Sequence, residues 1–175
     1  MPVEVKGAIE LRKALRNYAP DLAKKLNFEM AAELKPIVNQ ARGFMPTQSP
    51  LSGWAVRENS KGRFPMFDPV IAKKGIVYKV SPSKRNSRGF KSLASLRNKS
   101  AAGAIYETAG RKNPGGNFSS RLPGSIIGQG KMSGRALFKA YAENEGTAQD
   151  AVLKAIEDAY KAFQKKGLVF RKAKR

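Results

Sequence analysis

Residues 147–166 read TAQDAVLKAIEDAYKAFQKK and carry the most regular apolar pattern in the chain. Large apolar residues recur every three or four positions, at Val152, Leu153, Ile156, Tyr160 and Phe163. This spacing predicts an amphipathic helix that buries one face in a core. Thr147 can cap its first turn, and Gly167 can end it. A shorter helical pattern begins at Arg135, and we expect it to break near Gly146.

The N-terminal part of the chain predicts two further helices. The first runs from Ala8 to Pro20, where a proline ends or bends a helix. The second follows Asp21, whose carboxylate suits the positive end of a helix dipole, and closes at Gly43. Pro36 lies inside this second pattern and predicts a kink. The two apolar stripes are Ile9, Leu11, Leu15 and Tyr18, and then Leu22, Leu26, Met30, Leu34, Ile37 and Ala41.

Short strands are predicted outside these helices. Residues 67–72 and 76–80 have the composition of two strands joined by the hairpin turn 73–75, and Val3 and Val5 fit a short strand at the start of the chain. Residues 51–56 fit a further short strand, and residues 101–108 fit either a strand or a helix.

Long loops and a basic tail complete the predicted organisation. We expect loops at 44–65 and 83–134, because these segments are rich in Gly, Ser and Pro and show little periodicity. A length of 175 residues suits one domain with extensions. The sequence therefore predicts a single domain over 1–166 and a basic C-terminal extension over 167–175.

The charge of the chain is large and unevenly placed. The formal net charge is +21, and residues 57–100 hold twelve basic and two acidic residues. Residues 161–175 hold seven basic residues and no acidic one, whereas residues 136–160 hold two basic and five acidic residues. Charge concentrated in loops and a tail indicates that a polyanion or an acidic partner meets those segments.

Composition also bears on catalysis and location. The chain has no Cys and no His, so disulfides, thiolate metal sites and Ser-His-Asp machinery are excluded. We therefore expect no enzyme activity, no cofactor and no metal. No apolar run reaches the ~18–20 residues that cross a bilayer, and the first residues do not resemble a secretory signal, so we expect no membrane contact.

The basic middle of the chain is the strongest candidate binding segment. Phosphate contacts need charge but little geometry, which suits Lys84, Arg85, Arg88, Lys91, Arg97 and Lys99. Phe90 is the only aromatic residue within 84–99, so stacking on nucleic-acid bases has weak support. DNA and an acidic protein surface remain equal alternatives for this segment.

Trp54, the single tryptophan, and the C-terminal residues Phe170, Arg171 and Lys172 are predicted to anchor contacts between subunits. Trp54 also suits a core position, and the tail also suits a disordered end.

Two motif matches are weak. Asp21 with Glu33 and Lys35 matches a metal-dependent nuclease signature, but 12 helical positions separate the carboxylates by roughly 18 Å, too far to share a metal. Residues 128–130 have the glycines of a phosphate loop without the spacing of one, so a flexible loop is expected there.

Taken in order, several segments resemble the tail-completion (neck) proteins of long-tailed bacteriophages. Residues 3–11 with Leu15 match a short strand, a Gly and a helix with paired leucines. Residues 38–51 match a long helix that ends with an Ala, a basic residue and a Pro, after which a polar turn and a Leu follow. Residues 105–110 match an aromatic-x-Glu-x-x-Gly segment, and residues 147–166 match a long C-terminal helix.

The resemblance implies an α+β fold, in which a small, curved, mainly antiparallel sheet is packed by N- and C-terminal helices. It implies a structural virion protein that forms a hexameric ring at the proximal end of the tail. The partners would be the head–tail connector and tail-tube or tail-terminator proteins, with DNA in the channel. A basic nucleic-acid-binding protein, ribosomal or nucleoid-like, is the alternative that the charge alone supports.

Overall fold

The computed structural model describes residues 7–56, 64–87 and 89–165. The predicted strand at Val3 and Val5, residue Arg88 and the extension over 167–175 lie outside these ranges. In chain order the elements are α1 (Ala8–Tyr18), α2 (Pro20–Gly43), α3 (Pro69–Gly75), β1 (Ile76–Lys79), β2 (Ser95–Asn98), α4 (Ala101–Thr108), β3 (Ile127–Gln129), β4 (Met132–Gly134) and α5 (Leu137–Lys165). Short 3₁₀ turns lie at Ser52–Trp54 and Ser119–Arg121.

The described residues form two compact units. The first unit comprises the chain up to Leu34, the segment Lys79–Ser95 and the chain from Gly146 onwards. The second unit comprises Lys35–Tyr78 and Leu96–Glu145.

The core of the first unit joins the helices from the two ends of the sequence. Most residues of the predicted stripes of α1, α2 and α5 supply it, because each helix places apolar residues on one face. Tyr18 and Tyr160, which were predicted to belong to these stripes, are instead exposed. Leu15 and Met30 are fully buried, and Phe163 is 2% exposed. The remaining buried members are Ala8, Leu11, Ala19, Leu26, Ala155, Ile156 and Ala159.

The strands of the structure form two separate two-stranded antiparallel sheets, β1 with β2 and β3 with β4. In the second sheet Ile127 pairs with Gly134 and Gln129 pairs with Met132. The α+β class with N- and C-terminal helices is therefore confirmed. The expected single curved sheet is replaced by these two small ones.

The strand predicted over residues 67–72 is wrong. Asp68 caps helix α3 there, since its carboxylate accepts hydrogen bonds from the backbone N–H groups of Val70 at 2.7 Å and Ile71 at 3.0 Å. Pro69 occupies the first turn, where a missing N–H has no cost. The predicted turn 73–75 is the end of this helix, and only β1 remains of the expected hairpin.

The predicted loop over 83–134 contains regular structure. Residues 101–108 form helix α4, whose N-cap Ser100 accepts a hydrogen bond of 3.1 Å from the N–H of Gly103. Strands β2, β3 and β4 lie in the same range. Residues 51–56 are not a strand, because Ser52–Trp54 form a 3₁₀ turn there.

Helix α5 runs without a break through Gly146, so the predicted interruption is wrong and Thr147 is not an N-cap. A glycine inside a helix costs about 1 kcal/mol relative to alanine. Ala140 and Ala148 are buried, so α5 is packed on both sides of this glycine. Pro36 lies inside α2, which likewise continues through it.

Candidate functional site

Residues 80–87 and 89–93 of the first unit form a hydrogen-bonded segment, which we call the basic hairpin. Ser83 donates its N–H to the carbonyl of Ser92 at 2.9 Å, and Ser92 returns an N–H bond of 2.9 Å to the hydroxyl of Ser83. Nearer the tip, the N–H of Asn86 bonds the carbonyl of Phe90 at 2.9 Å, and the side-chain oxygen of Asn86 accepts from the N–H of Phe90 at 2.8 Å. The segment predicted as an irregular loop is thus a paired hairpin.

The tip of the basic hairpin turns at Gly89. Gly89 has φ +81 and donates its N–H to the carbonyl of Asn86 at 2.9 Å. A left-handed residue after a turn is the usual way to close a three-residue hairpin loop, and glycine adopts it without steric cost.

The hairpin presents cations to solvent. Lys84, Arg85 and Lys91 are all exposed, Phe90 is 54% exposed, and residues 80–93 contain no acidic residue. Arg88, the fourth predicted cation of this segment, lies outside the described residues. Three described cations on one short projection make it suited to a phosphate backbone or to an acidic protein surface.

Arg12 fixes the base of the basic hairpin. This side chain lies on α1 and is only 8% exposed. Its Nη1 donates to the carbonyl of Leu93 at 3.3 Å, and its Nη2 donates to the carbonyl of Val80. Since Val80 and Leu93 are the two ends of the hairpin, one guanidinium holds both arms.

The Arg12 guanidinium also contacts two side chains of α2. Asn27 accepts from Nη2 through its side-chain oxygen, and the sulfur of Met30 lies 3.4 Å from Nη1. Burial lowers the pKa of the Arg12 guanidinium, and the positive charge of Arg16 lowers it further. A buried cation held by carbonyl oxygens suits a structural role, because it positions the hairpin and cannot reach a ligand.

The remaining predicted cations lie in the second unit. Arg97 is an exposed residue of β2, and Lys99 follows the same strand. The basic hairpin therefore brings together Lys84, Arg85 and Lys91 from the predicted set.

Trp54 is a core residue of the second unit, being 2% exposed. Its indole N–H donates to the carbonyl of Pro65 at 2.7 Å, and its ring lies 5.0 Å from that of Phe67. The prediction that Trp54 itself contacts a neighbouring subunit is corrected, because its surface is already covered. Phe170, Arg171 and Lys172, the other predicted anchors, lie outside the described residues.

A buried polar network was missed by the sequence-based prediction. Glu107 of α4 is 2% exposed, and its carboxylate accepts the backbone N–H groups of Ala136, Leu137 and Phe138 at 2.9, 3.0 and 2.8 Å. The carboxylate therefore caps the start of α5, where unpaired N–H groups favour negative charge. An acidic residue inside the apolar segment 101–110 was the available signal.

Arg135 completes this network from the chain segment before α5. It is 6% exposed and donates to the carbonyls of Tyr106 at 3.0 Å and Gly124 at 3.2 Å. The hydroxyl of Tyr106 donates to the carbonyl of Pro123 at 3.0 Å, and burial raises the pKa of this phenol. These bonds tie α4, the glycine-rich segment and the start of α5 together.

The two weak motif matches have structural explanations. Asp21 and Glu33 are exposed residues of the single helix α2, as their spacing predicts. Residues 128–130 belong to the β3–β4 hairpin, so the flexible loop expected there is a paired turn.

Across the ranges described, no group of three acidic residues is placed to hold a metal ion. None of the helices in those ranges is both long and apolar enough to span a membrane.

No protein-family model, curated protein or solved structure matches this chain.

Proposed function

We propose that this chain is a structural virion protein of a phage neck or tail. It assembles as a hexameric ring that completes the proximal end of the tail and joins it to the head connector. The observation that carries the proposal is the basic hairpin, whose two ends are bonded by Arg12 of a helical core and whose described cations are exposed. The order of segments that resembles the tail-completion proteins supports the same assignment.

A ring of this kind needs surfaces that bind neighbouring subunits. The described residues leave several large apolar side chains in solvent: Tyr18 is 69% exposed, Phe28 is 76% exposed and Ile71 is 60% exposed. Isolated exposed apolar residues are common, but aromatic ones are enriched where proteins meet. These side chains supply contact area toward other copies, toward the connector, and toward tail-tube or tail-terminator proteins.

The basic hairpin then has two places to act in the assembled virion. It faces DNA in the channel or an acidic surface on an adjoining ring, since both offer negative charge to Lys84, Arg85 and Lys91. The proposal includes no catalytic step and no cofactor. The protein is made in the host cytoplasm and is retained in the virion.

The assignment is tested by particle composition and by oligomeric state. Quantitative mass spectrometry of purified particles is expected to find the chain at a small multiple of six copies, and native mass spectrometry of the purified protein is expected to find hexamers. Genes for portal, capsid and tail-tube proteins beside its own gene are also expected. Absence from particles together with a monomer at all concentrations would overturn the proposal.

A basic nucleic-acid-binding protein, ribosomal or nucleoid-like, is the second candidate, and the exposed cations of the basic hairpin favour it. It is separated from the first by duplex DNA binding measured against salt. Under this alternative, affinity falls steeply with salt, and changing Lys84, Arg85 and Lys91 together to Gln reduces the log–log slope by about 2–3.

A matched control changes Lys13, Lys24 and Lys35, three exposed lysines of α1 and α2, to Gln. This control removes the same charge from helices. It is expected to leave the slope of log affinity against log salt concentration closer to that of the unchanged chain. A structural ring protein binds duplex weakly, and the hairpin variant still assembles.

A further inference from the structure

The second unit contains an open cavity of about 460 Å³ with aromatic walls. The ring of Trp54 lies 5.9 Å from that of Phe64 and 5.1 Å from that of Phe118, and the last two rings lie 6.0 Å apart. Leu51 adds an aliphatic edge. The volume falls within the ~300–1,000 Å³ that is usual for ligand sites, so a large side chain of another molecule fits.

One wall of this cavity is held in place by contacts within the chain, and the opposite wall is exposed to solvent. Trp54 is held by its hydrogen bond to Pro65 and by its contact with Phe67. Phe64, in contrast, is 47% exposed. A partner that covers this ring gains the free energy of burying apolar surface, and it loses little in ordering the opposite wall.

Charge selects among the possible occupants. Arg121 is the only charged residue among the described residues that line the cavity, and it is exposed. Within the described part of the chain no carboxylate pairs with it. Asn117 adds an exposed amide that can both donate and accept hydrogen bonds. An apolar floor beside a cation suits a guest that combines an apolar group with a carboxylate.

We propose that this cavity docks an acidic segment of a partner protein. The segment places one aromatic or large aliphatic side chain in the cavity, against the exposed ring of Phe64, and pairs a neighbouring carboxylate with Arg121. The net charge of +21 attracts such a segment and repels a cationic one, including the basic tail of a second copy. The proposal adds a binding site to the ring function and does not depend on it.

Stacking of a nucleic-acid base is the competing use of an aromatic site. Base stacking needs the open face of a ring, whereas Trp54 is 2% exposed and its face is covered. Phe64, which is 47% exposed, is the ring of this cavity that is open to a base, so nucleic-acid binding is tested directly below.

Trp54 is the single tryptophan of the chain, so its fluorescence reports on this cavity. The probe is the blocked peptide Glu-Asp-Phe-Asp-Glu, compared with the same peptide carrying Ser in place of Phe, both titrated into the full chain. We expect the Phe peptide to change the Trp54 emission saturably and the Ser peptide to bind at least about ten-fold more weakly. Equal responses to both peptides, or no saturable response to the Phe peptide, would overturn the proposal.

Variants identify the contacts. Arg121→Gln is expected to weaken binding of the Phe peptide by about two- to five-fold, the usual range for an exposed ion pair. The control Lys131→Gln removes the same charge from a residue outside the cavity lining. It is expected to leave the affinity for the Phe peptide closer to that of the unchanged chain. Phe64→Ala is expected to weaken binding by about ten-fold, and Phe64→Leu, which keeps an apolar wall, by less. Equal effects of the Arg121 and Lys131 changes would contradict the site.

An oligothymidine titration separates the other class of partner. If it changes the Trp54 emission more strongly than the Phe peptide does, and the change is lost in Phe64→Ala, the cavity is a nucleobase site and the peptide proposal is rejected. None of these measurements involves ring assembly, so a monomeric chain that binds the Phe peptide would reject the ring and keep the docking site.

Discussion

The guanidinium of Arg12 donates a hydrogen bond of 3.3 Å to the backbone carbonyl of Leu93, 81 positions further along the chain. The same side chain also bonds the carbonyl of Val80, so a residue of the first helix sets where the basic hairpin leaves the core. Any role of the hairpin cations depends on this placement, because charge alone does not fix the direction in which a loop projects.

Arg12→Met is expected to lower the free energy of unfolding by about 2–4 kcal/mol, because it removes charge-assisted hydrogen bonds and leaves buried carbonyls without donors. Urea denaturation measures this change. Hydrogen exchange at the amides of Ser83 and Ser92 is expected to accelerate as the hairpin loosens. The control is Arg16→Met, an exposed arginine of the same helix, for which we expect a change within about 0.5 kcal/mol. Equal effects of the two changes would show that Arg12 does not hold the hairpin.

Glu107→Gln is expected to destabilise the chain by about 1.5–3 kcal/mol. Glutamine keeps one acceptor oxygen but turns an N–H₂ group toward the N–H donors that start α5, and the burial of the site prevents water from compensating. Thermal or chemical denaturation tests the stability. Hydrogen exchange at Ala136 and Leu137 tests whether the start of α5 has opened. Glu33→Gln makes the same chemical change at an exposed position of α2 and is expected to be nearly neutral.

Gly146→Ala is expected to stabilise the chain by about 0.5–1 kcal/mol. The residue lies inside α5, and a Cβ added there meets nothing within 4 Å, so the change gains helix propensity without a clash. Gly110→Ala provides the contrast, because Gly110 has φ +85 and its Cβ would lie 2.9 Å from that of Ser119. That change is expected to be destabilising. A loss of stability in Gly146→Ala would mean that α5 bends or breaks at this residue in solution.

Tyr106 is expected to ionise at higher pH than an ordinary tyrosine. Burial raises the pKa of its phenol, the charge of Arg135 acts in the opposite direction, and the charge of Glu107 adds to the rise. Because the folded pKa lies above the unfolded one, the contribution to stability is complete below about pH 10 and is lost as the pH rises through the folded pKa. Absorbance at 295 nm should show one of the five tyrosines titrating late, and Tyr106→Phe should remove that step. A titration unchanged by this substitution would contradict the assignment.

Part of the fold follows from local pattern. The stripes of α1, α2 and α5 could be predicted because residues three and four apart share a helix face whatever surrounds them. Helix α3 could also have been predicted, because Asp68 followed by Pro69 is a signal for the start of a helix. The apolar residues around these two positions resemble a strand and led to the wrong prediction. The continuity of α5 through Gly146 could not be predicted from the sequence, because it depends on the packing on either side of the glycine.

The sequence by itself determined the helices at both ends, the uneven charge and the absence of His and Cys chemistry. Tertiary structure alone decided that Arg12 grips both arms of the basic hairpin, that Glu107 caps α5 and that Trp54 is a wall of a cavity and not a surface anchor. The physical reason is range. Helix periodicity is carried by neighbours three or four positions apart, whereas these contacts join groups 11 to 81 positions apart, and only the folded chain brings such groups within bonding distance.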